Sequence, residues 1–297
     1  EFGLNSRTGR TLELTGSVAV EVDAGAPAKL AGVARAAMAG TTWQATLGAD
    51  GPDQATLVCW VRGVLDRMRA QGAIDHPWFD RFRADDGRRW SIWGGRPRGD
   101  GMPAFPRDRP APAYPKVGGA SDPGRDSGGL DPVASSQSWY ARWTSRALDV
   151  SALDGGRLAK LLLERLARDG VLSATTSDSG AVVYAIPASR VVVAATEDAD
   201  LAAGRHLLVC DTCRAATPGT AATVAQLTAA PCLQVRCRGR LRPEPVGDNF
   251  YRRLYASPDM RRVVAREHTS LFDDATRLAY EDGFRAAAVS PQAPNVL

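Results

Sequence analysis

The sequence predicts an α+β fold, and three observations carry the prediction. Long stretches repeat apolar residues every three or four positions, as amphipathic helices do. Short stretches alternate apolar and polar residues, as half-buried strands do. Two close cysteine pairs mark a small loop-rich module in the last third of the chain. At 297 residues there is room for two domains or three small ones. The 44% apolar and 24% charged residues are ordinary for a soluble globular protein. No apolar run approaches the roughly 18 residues that span a bilayer, so no membrane partner is expected. Residues 1–10 lack a basic segment followed by an apolar core, and a cytoplasmic chain is expected.

Residues 1–93 read as an N-terminal α+β region. Thr11 to Val22 (TLELTGSVAVEV) alternates and predicts a strand or hairpin, and the alanine-rich stretch from Ala28 to Ala39 predicts a helix ending at Gly40. Gln54 to Gln71 is the first long amphipathic helix, with Leu57, Val61, Val64, Leu65 and Met68 on one stripe and Gly72 placed as its C-cap. A turn and a short helix begun by Pro77 follow. Residues 94–132 change sharply to glycine, proline, serine and charge, which predicts a linker or an extended surface segment.

Order resumes over residues 133–195. WYARWTSRALDV and DGGRLAKLLLERLARDG read as two helices joined by a short turn. VLSATTSDSGAVVYAIP then reads as two strands around a Ser-Asp-Ser-Gly turn. Helix, turn, helix, hairpin is the order of a winged helix, so a winged-helix-like domain is expected. Val191 to Ala195 adds a strand leading into the cysteines.

Five cysteines are present. Cys59 lies inside the first amphipathic helix and reads as a small core residue. Cys210, Cys213, Cys232 and Cys237 form C-x2-C, a gap of 18 residues, then C-x4-C. Each pair supplies two thiolates from a tight turn, which is what a tetrahedral zinc ion needs. A disulfide framework suits a secreted, cysteine-dense scaffold, which this is not, and a redox C-x-x-C needs no second pair. Residues 196–262 are therefore expected to be a zinc module, and four thiolates leave no open position, so the ion is expected to be structural.

Charge gathers around these cysteines. Only Lys29, Lys116 and Lys160 are lysine among 37 basic residues, so 34 are arginine. Residues 205–262 carry ten arginines against four acids, +6, whereas residues 263–297 come to −2 and residues 1–204 to zero. A local excess of this kind attracts polyanions. Arg236, Arg238, Arg240 and Arg242 alternate and would share one side of an extended strand. Arg157 and Lys160, with Arg165 and Arg168, lie on the second helix of the winged-helix-like region. Both sets are candidate nucleic-acid contacts. The sequence holds no phosphate-loop motif, no Asp-Glu-x-His or Asp-Glu-x-Asp after an apolar strand, no H-E-x-x-H and no G-x-S-x-G, so no catalytic residue is assigned.

The C-terminal stretch VVAREHTSLFDDATRLAYEDGFRAAAVSPQAPNVL carries His268, Thr269 and Ser270, then Arg277, Glu281 and Phe284, then Pro294 to Leu297. In that order it resembles the opening of the second RecA-like domain of large bacterial superfamily 2 DEAD/DEAH helicases with a DUF1998-type region, such as those of Druantia-like and DISARM-like anti-phage systems. The stretch VLDRMRAQGAIDHPWFDRF and the four-cysteine module resemble earlier segments of the same family, and the matches together cover about a third of the chain. Ser270 stands where the family commonly has glycine.

The resemblance implies that residues 263–297 begin a RecA-like domain with its first β-α-β, including a helix over Asp274 to Phe284. It implies an accessory region of a helicase that grips single-stranded or forked DNA, with His268 and Thr269 bordering the nucleic-acid path. ATP and magnesium would be bound only by the full-length parent, and this chain alone would hydrolyse no ATP. Other subunits of a defence system are the further partners implied. The alternatives are a zinc-stabilised module that docks partner proteins, and an autonomous zinc-bearing transcription regulator.

Overall fold

The computed structural model describes residues 11–41, 51–93, 111–119, 129–247, 250–256 and 273–285. They fall into two units, Glu1–Asn249 and Phe250–Leu297.

In the first unit a turn over residues 11–17 leads into β1 (Val18–Val22), followed by α1 (Pro27–Met38) and α2 (Gln54–Ala70). Pro27 opens α1, where its missing N–H costs nothing. Asp53 caps α2, its carboxylate accepting from the Thr56 N–H at 2.7 Å. The apolar stripe of α2 is buried as the periodicity predicts, and Trp60 is buried with it.

Next come β2 (Ile74–Asp75), α3 (Asp80–Ala84), α4 (Trp90–Trp93), β3 (Tyr114–Val117) and β4 (Leu130–Pro132). The last two fall within residues 94–132, where the sequence predicts a linker or an extended surface segment; residues 94–110 and 120–128 of that stretch lie outside the described residues. Tyr114 is fully buried, its hydroxyl donates to the Ile74 carbonyl at 2.9 Å, and β3 pairs with both β4 and a later strand. Glycine and proline dominate the composition there, but one tyrosine and a satisfied ladder are enough to draw four residues into a sheet.

The helix–turn–helix is α5 (Trp139–Leu148) and α6 (Ala152–Arg168), capped by Ser138 and Ser151 and joined through Asp149 in the left-handed region, φ 54°. Gly155 and Gly156, poor helix formers, let α6 approach closely. A Cβ on Gly155 would lie 2.3 Å from the Ala141 carbonyl, and one on Gly156 would lie 2.7 Å from that of Ala134. Helices α2 and α5 lock reciprocally: Trp60 Nε1 donates to Thr144 Oγ1 at 2.8 Å, and Trp143 Nε1 donates to the Trp60 carbonyl at 3.0 Å.

The hairpin follows as β5 (Ser173–Thr176) and β6 (Val182–Pro187), then β7 (Val191–Ala195). Strand β6 pairs antiparallel with β5, and also with β2 in parallel and β3 antiparallel, while β1 pairs antiparallel with β7. The hairpin tip is tied down. Asp86, at φ 53°, accepts from the hydroxyls of Ser177 and Ser179 at 2.6 Å each, and the Asp178 N–H donates to the Ala84 carbonyl at 2.8 Å.

The unit closes with α7 (Asp198–Ala202), β8 (Leu207–Cys210), β9 (Ala216–Pro218), α8 (Ala221–Leu227) and β10 (Leu241–Pro243), β8 being the middle of a three-stranded sheet. The regions that the sequence divides at residues 93, 132 and 195 share one core, in which α2 packs against α1, α5 and α8.

The second unit is described over α9 (Phe250–Ala256) and α10 (Asp274–Arg285). Helix α10 appears where the sequence predicts one and buries no side chain, leaving Leu278 and Phe284 exposed. The strands expected on either side of it, and residues 1–10, lie outside the described residues. Among the described residues no helix is long and apolar enough to cross a membrane.

Candidate metal centre and its basic surround

Strand β8 delivers Cys210 to a tight turn that brings Cys213 back beside it. Arg214 at φ 59° completes the reversal, and the Arg214 N–H donates to the Cys210 carbonyl. The second turn runs from Cys232 to Cys237 and is closed by the Cys232 N–H on the Gly239 carbonyl at 2.9 Å. The sulfurs of Cys210 and Cys237 are 3.6 Å apart, as are those of Cys213 and Cys232, and all four lie within 4.8 Å of one another. A tetrahedron with metal–sulfur bonds of about 2.3 Å has sulfur–sulfur edges of about 3.8 Å, so the cluster can hold one ion.

Backbone N–H groups point at the sulfurs. Thr212 and Cys213 donate to Cys210 at 3.4 and 3.5 Å, Gln234 to Cys232 at 3.3 Å, and Gly239 to Cys237 at 3.3 Å. Burial alone would raise the Cys210 thiol, but the N–H groups of Cys213 and Thr212 outweigh it and bring the pKa down to about 7. Burial pushes Cys213 and Cys232 up. Gly239 is required by the space: a Cβ there would lie 2.5 Å from the Cys210 sulfur.

The centre is built onto the helical core. Trp139 Nε1 donates to the Leu233 carbonyl at 2.7 Å, Arg146 Nη1 to the Cys232 carbonyl at 2.9 Å, and Arg62 Nε to Gln226 Oε1 on α8 at 2.7 Å. His206, near in sequence, is buried with its Nε2 2.7 Å from the Glu13 carbonyl and is not one of the clustered ligands.

No protein family, curated protein or solved structure matches this chain. The site is therefore read from its own residues.

Arg236, Arg238, Arg240 and Arg242 are all exposed, while the intervening Cys237, Gly239 and Leu241 turn inward to different degrees. The alternation holds although only Leu241–Pro243 is a strand and Arg236 sits in the second cysteine turn. Arg242 pairs with Asp211 at 3.3 Å, Arg214 with Glu244 at 2.7 Å and Arg205 with Asp200 at 2.6 Å. Among the described residues Arg236, Arg238 and Arg240 form no ion pair, and Arg240 Nη1 rests on the Ala229 carbonyl at 2.8 Å.

On α6, Arg157 is 3.4 Å from Asp154, Lys160 is 3.8 Å from Glu164 and Arg165 is 2.8 Å from Asp169, so this face is largely neutralised along its own helix. His268 and Thr269 lie outside the described residues. Arg146, the second of two arginines on α5, carries no signal in the sequence that it would reach the second cysteine turn.

Proposed function

We propose that this chain is a zinc-stapled nucleic-acid-binding module, the accessory region of an ATP-dependent superfamily 2 helicase. One observation carries the binding: the guanidinium groups of Arg236, Arg238 and Arg240 stand exposed and without an ion pair among the described residues, beside neighbours that are paired, although the Arg240 backbone N–H donates to Asp211 at 3.0 Å. An arginine without a carboxylate partner keeps its charge available to phosphate. Four convergent thiols with inward backbone N–H groups favour zinc over oxygen-seeking cations, and a closed set of four makes the ion structural. The helicase setting is supported by the C-terminal sequence pattern and by α10, which carries Arg277, Glu281 and Phe284 of it.

The helix–turn–helix and hairpin of α5, α6, β5 and β6 are read as a winged-helix-like scaffold. Its hairpin tip is fastened to Asp86 and Arg157, Lys160 and Arg165 of α6 are paired, so these serve less as a probe for DNA than as a frame for the module. The same two facts favour a second reading, a zinc-stabilised surface for docking a protein subunit.

A binding titration separates the readings. Labelled duplex DNA should bind with a steep salt dependence. Three phosphate contacts imply a loss of about 40-fold between 50 and 200 mM salt, at about 0.9 log unit per contact per decade. Arg236→Glu with Arg238→Glu should weaken binding regardless of base sequence. Salt-independent binding, or none to either duplex or single-stranded DNA, would rule in favour of protein docking.

A further inference from the structure

The α2 N-terminus, α5, α8 and the segment after α8 enclose a cleft of about 880 Å³. Its lining is small and apolar: Val58 and Ala230 are buried at its base, and Ala55, Ala222, Ala225 and Ala229 are exposed around its rim. Gln54, Thr56, Gln226 and Thr228 offer hydrogen-bonding groups along the walls, and no carboxylate is among the lining residues. Asp53 is next to Gln54 in the chain, but its carboxylate is engaged by the Thr56 N–H.

The two charged groups lining the cleft are Arg146 and Arg240, from separate elements. Both are oriented by carbonyl oxygens and not by acids. Arg146 Nη1 donates to Cys232 O at 2.9 Å and reaches Gln234 O at 3.5 Å, and Arg240 Nη1 donates to Ala229 O at 2.8 Å. A carbonyl fixes the direction of a guanidinium without cancelling its charge, and each arginine has further N–H donors to spare. Arg240 also continues the exposed row of Arg236 and Arg238, so the cleft opens from the surface proposed to hold phosphates.

We propose that this cleft takes a short run of unpaired nucleotides, with Arg146 and Arg240 on the phosphates and the bases on the alanine-rich lining. The proposal rests on the nucleic-acid reading above and adds strand selectivity to it. A stacked duplex cannot turn its bases inward, whereas a single strand can lay apolar base faces on apolar protein while its backbone follows the positive charge. An acidic helix of a partner protein would use the same arginines, but an occupant that places successive anions needs no helical register with the walls.

The test uses the full chain, zinc-loaded, with a dT12 oligonucleotide, its rU12 counterpart and a 12-base-pair duplex. Ala225→Trp fills the cleft from the exposed side of α8. Gln54→Glu adds a carboxylate at the first turn of α2, where an acid suits the helix dipole and leaves folding intact. Each variant should weaken the single strand about tenfold while duplex affinity stays within about twofold, and 5-iodouracil in the strand should cross-link to residues lining the cleft. The dT12 and rU12 arms show whether the strand is DNA or RNA. Unchanged single-strand affinity in both variants, with cross-links confined to Arg236 and Arg238, would overturn the cleft and leave the arginine row standing. Loss of all binding in the unmodified chain would overturn both. Binding of a helical Glu/Leu peptide that Ala225→Trp abolishes, with no oligonucleotide bound, would assign the cleft to a protein partner instead.

Discussion

At the scale of single residues the cysteines dominate, because each one's place is set by a turn of two to four residues. Cys213 is the most exposed of the four, yet its sulfur closes on Cys232, which follows it in sequence beyond α8. Removing it leaves three thiolates and an open coordination position, a poorer structural site. Cys213→Ala should lower bound zinc below half an equivalent and make residues 205–245 protease-sensitive. Elemental analysis and limited proteolysis check this. Full zinc retention in the variant would show that the four sulfurs are not the ligands.

Among the elements, the hairpin of β5 and β6 depends on one carboxylate. Burial raises the Asp86 pKa, but the Ser177 and Ser179 hydroxyls outweigh burial and hold it below the ordinary carboxylate range. A carboxylate with a depressed pKa contributes stability above its unfolded value near 3.8, and that stability is lost as pH falls through the lower folded value. Asp86→Ala removes both charge-assisted hydrogen bonds and leaves a non-glycine residue at positive φ, at a cost of about 3 kcal/mol. Asp86→Asn keeps a side chain that tolerates this backbone and one acceptor, so it should cost about half as much. Denaturant midpoints give the two values, and hydrogen exchange at residues 177–180 localises the change. Equal losses in the two variants would mean that the hydroxyl bonds are not what holds the tip.

For the first unit as a whole, the N-terminal segment acts as a strap. Glu13 Oε1 accepts from Arg69 Nη1 at 2.7 Å, with both side chains about 95% buried, and Arg69 also binds Asp66 at 2.9 Å. The Val22 carbonyl accepts from Arg62, and Glu21 accepts from Thr220 and Thr223 at the start of α8. Residues some 200 apart in sequence are thereby joined across α2. Glu13→Ala leaves the buried Arg69 half-paired and should cost about 3 kcal/mol, the low end for breaking a buried ion pair because Asp66 remains. Since the cysteine module and the helices share a core, tryptophan fluorescence and zinc release should follow one transition in both the parent chain and this variant. Two separated transitions would show that the module folds independently of α2.

Much of this was legible in the sequence, and the dividing line is the range of the interaction. The helices at Gln54–Ala70 and Ala152–Arg168, the hairpin after them and the two cysteine turns all rest on spacings of two to four residues, which local geometry decides. Tertiary structure decided the rest. Strand β3, which holds Tyr114, joins a sheet from within a proline-rich stretch because β6 had an edge to offer Lys116 and Val117. Gly155 and Gly156 lie near the start of α6 because the backbone of Ala141 on α5 and of Ala134 in the preceding loop passes against them. Arg242 is paired while Arg236 is not, because only the folded chain brings Asp211 beside one of them. Charge can be counted along a chain, but whether an arginine is neutralised depends on which carboxylate or carbonyl the fold brings near it. The sequence alone located the four-cysteine cluster, and only the packed chain separated the available arginines from the occupied ones.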